Sequence, residues 1–201
     1  MFEQSLIGAI ENSAPGQLKY LPQWLDLKTA DDFYQQLLTQ IFWQSETIRM
    51  YGREVKVPRK IAWYGDDDAA YTYSGITHQP KKWLALLHQL RERIKSDLNI
   101  ETNSVLANLY RDGQDSMGWH SDNEPELGNE PNIVSLSLGQ PRYFDFRDIN
   151  NHQNKHRLEL AHGSLLVMSG KFQQHWQHQV PKQRKVSEPR INLTFRKVFA
   201  N

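Results

Sequence analysis

His120 and Asp122 stand one residue apart in the stretch MGWHSDNEPELG, ahead of acidic and turn-forming residues. If the chain is extended there, residues two apart point to the same side, and the imidazole and carboxylate can grip one ion. A polar loop entering a strand reads the same way, and an H-x-D string arises easily in a chain with eight histidines. RINLTFR, residues 190–196, says more. Ile191, Leu193 and Phe195 share one face and look like core, so Arg190, Asn192, Thr194 and Arg196 share the other. On a solvent-facing edge that is an ordinary polar stripe. Pointed into a barrel, two guanidiniums need anions, and a small dicarboxylate would satisfy both through fork-shaped, charge-assisted hydrogen bonds. Asn108 and Tyr110 share a face in the same manner within LANLYRDG. A third metal ligand must come from downstream, where KFQQHWQHQVPK offers His175 and His178. Three apart on a strand, they lie on opposite sides, so at most one joins His120 and Asp122. Two neutral imidazoles and one carboxylate leave open positions opposite, the arrangement associated with non-haem Fe(II) oxygenases. Zinc could take the same ligands, but a hydrolytic zinc site has no need of a dicarboxylate receptor, so the two-arginine strand favours iron.

The bulk numbers permit this. With no cysteine in 201 residues, disulfides and thiolate chemistry are excluded, and any metal is held by His, Asp or Glu. The length suits a single domain. A net charge of +1 neither demands nor excludes a polyanionic partner, but basic residues cluster at Lys56, Arg59 and Lys60, at Lys81 and Lys82, and at Lys182, Arg184 and Lys185. The start, MFEQSLIGAIENSAPG, lacks the basic and apolar regions of a signal peptide, and no window reaches the length of a membrane span. An intracellular, cytoplasmic, monomeric protein without a membrane is expected.

The elements that must position these residues follow from periodicity. DDFYQQLLTQIFW reads as a helix capped by Thr29 or Asp31, with Phe33, Leu37, Leu38 and Ile41 on its buried face. ETIRMYGREVKVPRKIAWYGD alternates around a Gly-Arg break and reads as a β-hairpin or bent ribbon. A second helix is expected after Pro80, with Trp83, Leu84, Leu87, Leu90, Ile94 and Leu98 as its stripe. From about residue 102 the texture changes to short alternating runs: NSVLANLY, IVSLSLG, RYFDFRD, HRLELAHG, SLLVMSG and RINLTFRKV. Such spacing suggests a closed or sandwiched antiparallel sheet. One domain is therefore expected over 1–201, with N-terminal helices and a lid in 1–101 and a strand-built core in 102–201.

NLYRDGQDSMGWHSDNEPEL, IVSLSLGQPRYFDF, LELAHGSLLVMSG, HWQHQVP and PRINLTFR, in that order, resemble the AlkB family of Fe(II)- and 2-oxoglutarate-dependent dioxygenases. Upstream, VPRKIAWYGD, YTYSG and the helix after Pro80 resemble the branch containing the animal nuclear DNA-repair dioxygenases. The resemblance implies an α+β, mainly β fold: a double-stranded β-helix, or jelly roll, with N-terminal helices and a substrate-binding hairpin lid. It implies Fe(II) held by His120, Asp122 and His178, with His175 facing away and His162 structural. Asn108, Tyr110, Arg190, Asn192 and Arg196 would bind 2-oxoglutarate, Arg190 at its distal carboxylate and Arg196 at the keto-acid end, and O2 is the second cosubstrate.

The implied chemistry is oxidative demethylation of 1-methyladenine and 3-methylcytosine in DNA, with etheno adducts as further substrates, giving succinate, CO2 and formaldehyde. A lesion in a duplex must be flipped out, and in IRMYGREVK the implied wedge is Tyr51 with Met50 beside it. Arg53, Lys56, Arg59 and Lys60 would meet phosphates, while Tyr64, Tyr71 or Tyr73 would line the base pocket. Repair members often carry an acid directly after the ligand aspartate; here Asn123 follows, then Glu124, which leaves the base preference open. The alternatives are a dioxygenase of the same family acting on RNA or protein, and a non-catalytic DNA-binding module with a structural metal.

Overall fold

The fold comes from a computed structural model that describes residues 16–50, 53–69, 71–73 and 76–199, with backbone alone at 48–50, 53–55, 71–73 and 76–78. Its elements in chain order are β1 (Gln17–Leu21), α1 (Leu27–Gln40), β2 (Gln44–Met50), β3 (Arg53–Gly65), the short β4 (Tyr71–Tyr73) and β5 (Ile76–His78), and α2 (Ala85–Leu98). There follow β6 (Ser104–Tyr110), β7 (Met117–His120), β8 (Ile133–Gly139), β9 (Arg142–Asp148), β10 (Lys155–Leu160) and β11 (Ser164–Ser169). The one-turn α3 (Phe172–His175), β12 (Trp176–Val180) and β13 (Arg190–Arg196) complete them.

Strands β1-β11-β8-β13-β6-β3-β2 form a seven-stranded sheet and β10-β9-β12-β7 a four-stranded one, and every pairing between them is antiparallel. This is the sandwiched jelly roll expected from the sequence. Period-two alternation divides its apolar residues into two layers. Ala62, Tyr64, Val105, Ala107, Leu109, Val134, Leu136, Ile191, Leu193 and Phe195 face α1 and α2, where Phe33, Leu37, Leu87, Leu90 and Ile94 cover them. Trp63, Ile133, Phe144, Phe146, Leu166, Met168, Phe172 and Trp176 fill the space between the sheets. All seven β13 residues are buried, so the arginine face of that strand points into the sandwich rather than to water.

Both helices begin elsewhere than the sequence suggested. Asp26 caps α1, its carboxylate accepting from Thr29 N at 3.0 Å and Thr29 Oγ1 at 2.7 Å. Helix α2 starts at Ala85, not directly after Pro80, because the intervening chain is tied to β3: Lys81 N donates to Trp63 O at 2.9 Å and Gly65 N to Lys81 O at 3.0 Å. The expected ribbon is β2–β3, and it contains an irregularity. Ser45 pairs with Lys60 and Thr47 with Lys56, so Glu46 alone opposes Val57, Pro58 and Arg59. Pro58 has no N–H to give the ladder, while its carbonyl accepts from Ser116 N at 3.0 Å. No helix among the described residues is long and apolar enough to cross a membrane.

Candidate active site

Antiparallel pairing of β7 with β12 sets His120 directly opposite His178, their ring centroids 4.2 Å apart. His120 Nδ1 lies 2.8 Å from the Gly118 carbonyl and must donate to it, which leaves the lone pair on Nε2. Phe144 stacks on the His178 ring at 5.2 Å. Asp122 lies just past β7, and three contacts fix it. Its main-chain N donates to Oε1 of the buried Gln173 at 2.9 Å, the neighbouring Ser121 hydroxyl donates to Trp176 O at 2.9 Å, and Arg196 Nη2 donates to Asp122 Oδ1 at 2.6 Å. Its other oxygen is 3.8 Å from His178 Nε2. Ligand atoms of His120, Asp122 and His178 all fall within 4.8 Å of one another, the one such His/Asp/Glu trio among the described residues.

Burial pulls the His178 imidazole down to about 3, with His120 pushing the same way, and burial lowers His120 too. Burial acts to raise Asp122, but the Arg196 charge and the two imidazoles override it, and its carboxyl is held below the usual range. The trio therefore offers two neutral nitrogens and one anionic oxygen, a donor set that fits Fe(II). His175 is not part of it. It ends α3 rather than lying on a strand, and its carbonyl accepts from Ile149 N.

The floor is the polar face of β13 with its neighbours. Register places Arg190 opposite Tyr110 and Asn192 opposite Asn108. Asn192 Nδ2 donates to Ser135 Oγ at 2.7 Å, Thr194 Oγ1 to Asn192 Oδ1 at 3.1 Å, and Arg190 Nη2 to Ser137 Oγ at 2.8 Å. Burial, with Arg142 nearby, pulls Arg190 down to about 10, so it stays charged at neutral pH. Yet its Nε and Nη1 are buried with no hydrogen-bond partner. A fully buried guanidinium with two idle donors calls for an anion, and a carboxylate is the planar match.

These walls enclose about 120 Å³ of free space, within the range where cavities take up small ligands. Asn108, Tyr110, His120, Asp122, His178, Arg190, Asn192 and Arg196 all line it. The expected substrate residues fare differently. Arg59 is not at a phosphate: it is 7% exposed, lines the pocket, and its Nε donates to Asn108 Oδ1 at 2.7 Å. Lys60 and Tyr64 fall on the opposite face of β3. Tyr64 is buried in the helix-side core, its hydroxyl accepting from Phe42 N at 3.3 Å, and Lys60 does not line the pocket. Asn123 is exposed, whereas Glu124 lines the pocket, so the acid two residues beyond the aspartate faces the cavity. Tyr51 lies outside the described residues, as do the side chains of Met50, Arg53, Tyr71 and Tyr73. Trp63 and Glu46 also line the pocket and were missed. Trp63 was findable, since it shares the face of Arg59 and Ile61; its indole N–H is bound to Ala69 O at 3.2 Å. His162 is structural, accepting from Gly139 N at 2.8 Å and meeting Asp31 at 3.1 Å.

The model of the 2OG-Fe(II) oxygenase superfamily matches residues 17–196. The chain belongs to that superfamily. Within it the AlkB family is its place: it is 42% identical over 187 residues to the alpha-ketoglutarate-dependent dioxygenase alkB homolog 3 of Bos taurus, covering 89% of this chain and 65% of that protein. It is 38% identical over 180 residues to the DNA oxidative demethylase ALKBH2 of Homo sapiens, covering 85% of this chain and 69% of that one. The chain thus spans about two thirds of the length of the curated relatives it matches. A 2OG-Fe(II) oxygenase family oxidoreductase from Burkholderia pseudomallei superposes with a TM-score of 0.63 at 13% identity, covering 98% of this chain and 93% of that one. The structure of OsALKBH1 gives 0.59 at 20%, covering 92% and 99%; both speak to fold alone. For an AlkB-family chain the cofactor is Fe(II) and the anion 2-oxoglutarate, and the His-Asp-His donor set and the idle donors of Arg190 fit the two.

Proposed function

We propose that this AlkB-family chain is a DNA-repair dioxygenase that removes methyl groups from alkylated bases, 1-methyladenine and 3-methylcytosine first, with Fe(II), 2-oxoglutarate and O2. The observation that carries it is the cavity whose walls hold both a His-Asp-His trio and a buried arginine lacking an anion, in a chain whose relatives are named for oxidative demethylation of DNA. Bound there, the iron would let O2 oxidise both partners, one oxygen atom going to the N-methyl carbon and the other to succinate as 2-oxoglutarate loses CO2.

The chain's own task is placement. His120, Asp122 and His178 hold the metal on one wall, and Arg196 keeps Asp122 ionised and oriented. Arg190, on the floor between Ser137 and Tyr110, takes the distal carboxylate of 2-oxoglutarate, with Asn108, Tyr110 and Asn192 fixing its length. Trp63, Ile61, Leu106 and Phe144 keep water from the reacting carbon. Glu124 is the acid available to the base. Residues 1–201 act as one catalytic domain, with the β2–β3 ribbon as the lid. We read it as a monomer working in the cytoplasm on the chromosome.

The test is a side-by-side competition among single-stranded DNA, duplex DNA and RNA, each carrying one 1-methyladenine, with Fe(II) and 2-oxoglutarate in air. Demethylation of DNA at least as fast as of RNA is expected. A clear preference for RNA would move the substrate class, and inertness toward all three would remove the repair reading.

A further inference from the structure

The pocket is lined by three arginines, Arg59, Arg190 and Arg196, and three carboxylates, Glu46, Asp122 and Glu124. Within the wall Asp122 accepts from Arg196 at 2.6 Å, Arg190 donates to Ser137 and Arg59 donates to Asn108. Ferrous iron and a dicarboxylate bring opposite charges of equal size, so loading the site leaves this balance unchanged. A base entering the pocket then meets wall charges of which Arg59, Asp122, Arg190 and Arg196 are buried and so only weakly screened. N1-methylated adenine and N3-methylated cytosine are cations at neutral pH, whereas etheno adducts are neutral. Arg59 is buried in the wall and opposes a cation.

The Pro58 irregularity supplies the counterweight. It leaves Glu46 alone across from Val57, Pro58 and Arg59, and both Glu46 and Arg59 reach the pocket from that point of the ribbon. A regular ladder would have paired Glu46 with a single β3 residue, and neither the proline nor the bulge is needed for the lid to be a ribbon. We propose that Glu46 is a specificity-determining residue, whose carboxylate favours cationic alkylated bases over neutral adducts. The inference rests on the reading above that alkylated bases are the substrate, and it assigns the charge class of base that the site selects.

The experiment uses the full chain with Mn(II) and 2-oxoglutarate, which keeps the charge of the loaded site while blocking turnover. Fluorescence anisotropy reads the binding of short single strands carrying 1-methyladenine, 1,N6-ethenoadenine or plain adenine; kcat/KM with Fe(II) on the two adducts is read in parallel. Glu46→Gln should weaken binding of the 1-methyladenine strand by about tenfold, as expected for loss of a charged partner, and shift the ethenoadenine strand by less than about twofold. Glu46→Asp should keep most of the preference. Because the readout is a ratio within one variant, misfolding lowers both arms together. An unchanged ratio in Glu46→Gln overturns the proposal while leaving the repair reading intact. A wild-type protein that does not separate 1-methyladenine from adenine overturns both.

Discussion

Gln173 is a residue whose importance comes from a single acceptor. Its Oε1 takes the main-chain N–H of Asp122, and its Nε2 is left against the Met168 sulfur at 3.5 Å. Replacing it with leucine strands a buried N–H and loosens the ligand that joins the metal to Arg196. Gln173→Leu should weaken Mn(II) binding by about tenfold with little change in 2-oxoglutarate affinity, both read by calorimetry. Arg190→Met should do the reverse, raising the 2-oxoglutarate dissociation constant by about a hundredfold or more while leaving metal binding within about threefold. The polar faces of β6 and β13 were legible because strand alternation sets them, whereas His178 was preferred to His175 through the family resemblance, and Asp122 lies past β7, held by Gln173 and Arg196 rather than by alternation. Arg59 shares the inward face of Ile61 and Trp63 by simple alternation, but its basic character suggested a phosphate contact, and Tyr64 takes the opposite face, which aromatic character alone does not reveal.

The cap on α1 is Asp26, outside the periodic apolar run that located the helix, which is why Thr29 and Asp31 looked better placed. Asp26→Ala removes the acceptor for Thr29 N and should lower Tm by about 2–4 °C with kcat/KM unchanged. The start of α2 was hidden for a different reason: Pro80 can open a helix, but Lys81 is claimed by β3 through two main-chain hydrogen bonds, a tertiary tie that no local pattern shows. The family resemblance implies that Tyr51, between β2 and β3 in the chain, is the wedge that replaces a flipped base, which we propose. Tyr51→Ala should then impair repair of duplex DNA by about tenfold or more relative to single strands, since only the duplex demands unstacking; equal loss on both would return Tyr51 to an ordinary surface residue.

For the molecule as a whole, the buried titratable groups set the response to acid. His178 and His120 have folded values below the usual 6.5, so the unfolded chain takes up protons first as pH falls. Their contribution to stability is full above about 6.5 and is lost progressively below it, down to about 3 for His178. Asp115 and Asp145 are opposed by burial but held low by Arg111 and Arg157, and with Asp122 their contribution is lost only as pH falls below the ordinary carboxylate value. Thermal melts of the metal-free protein should therefore show two stages. The first, between pH 6.5 and 5, has a slope of at most about 1.4 kcal/mol per pH unit for each histidine and is reduced in His178→Phe; the second begins near pH 4. Fold class was legible at this scale because two apolar layers leave two periodic signatures, whereas the pocket's charge balance depends on Glu46, Arg59 and Glu124 meeting from three separated segments.

One cavity joins a metal-binding trio to an arginine floor, and we propose that it serves to oxidise a base-bound methyl group. Mass spectrometry of a 1-methyladenine oligonucleotide after incubation with the protein, Fe(II) and 2-oxoglutarate in air tests it directly. One methyl group should be lost per succinate formed, and His178→Ala should show neither. Succinate without methyl loss, or methyl loss that survives in His178→Ala, would overturn this role for the cavity.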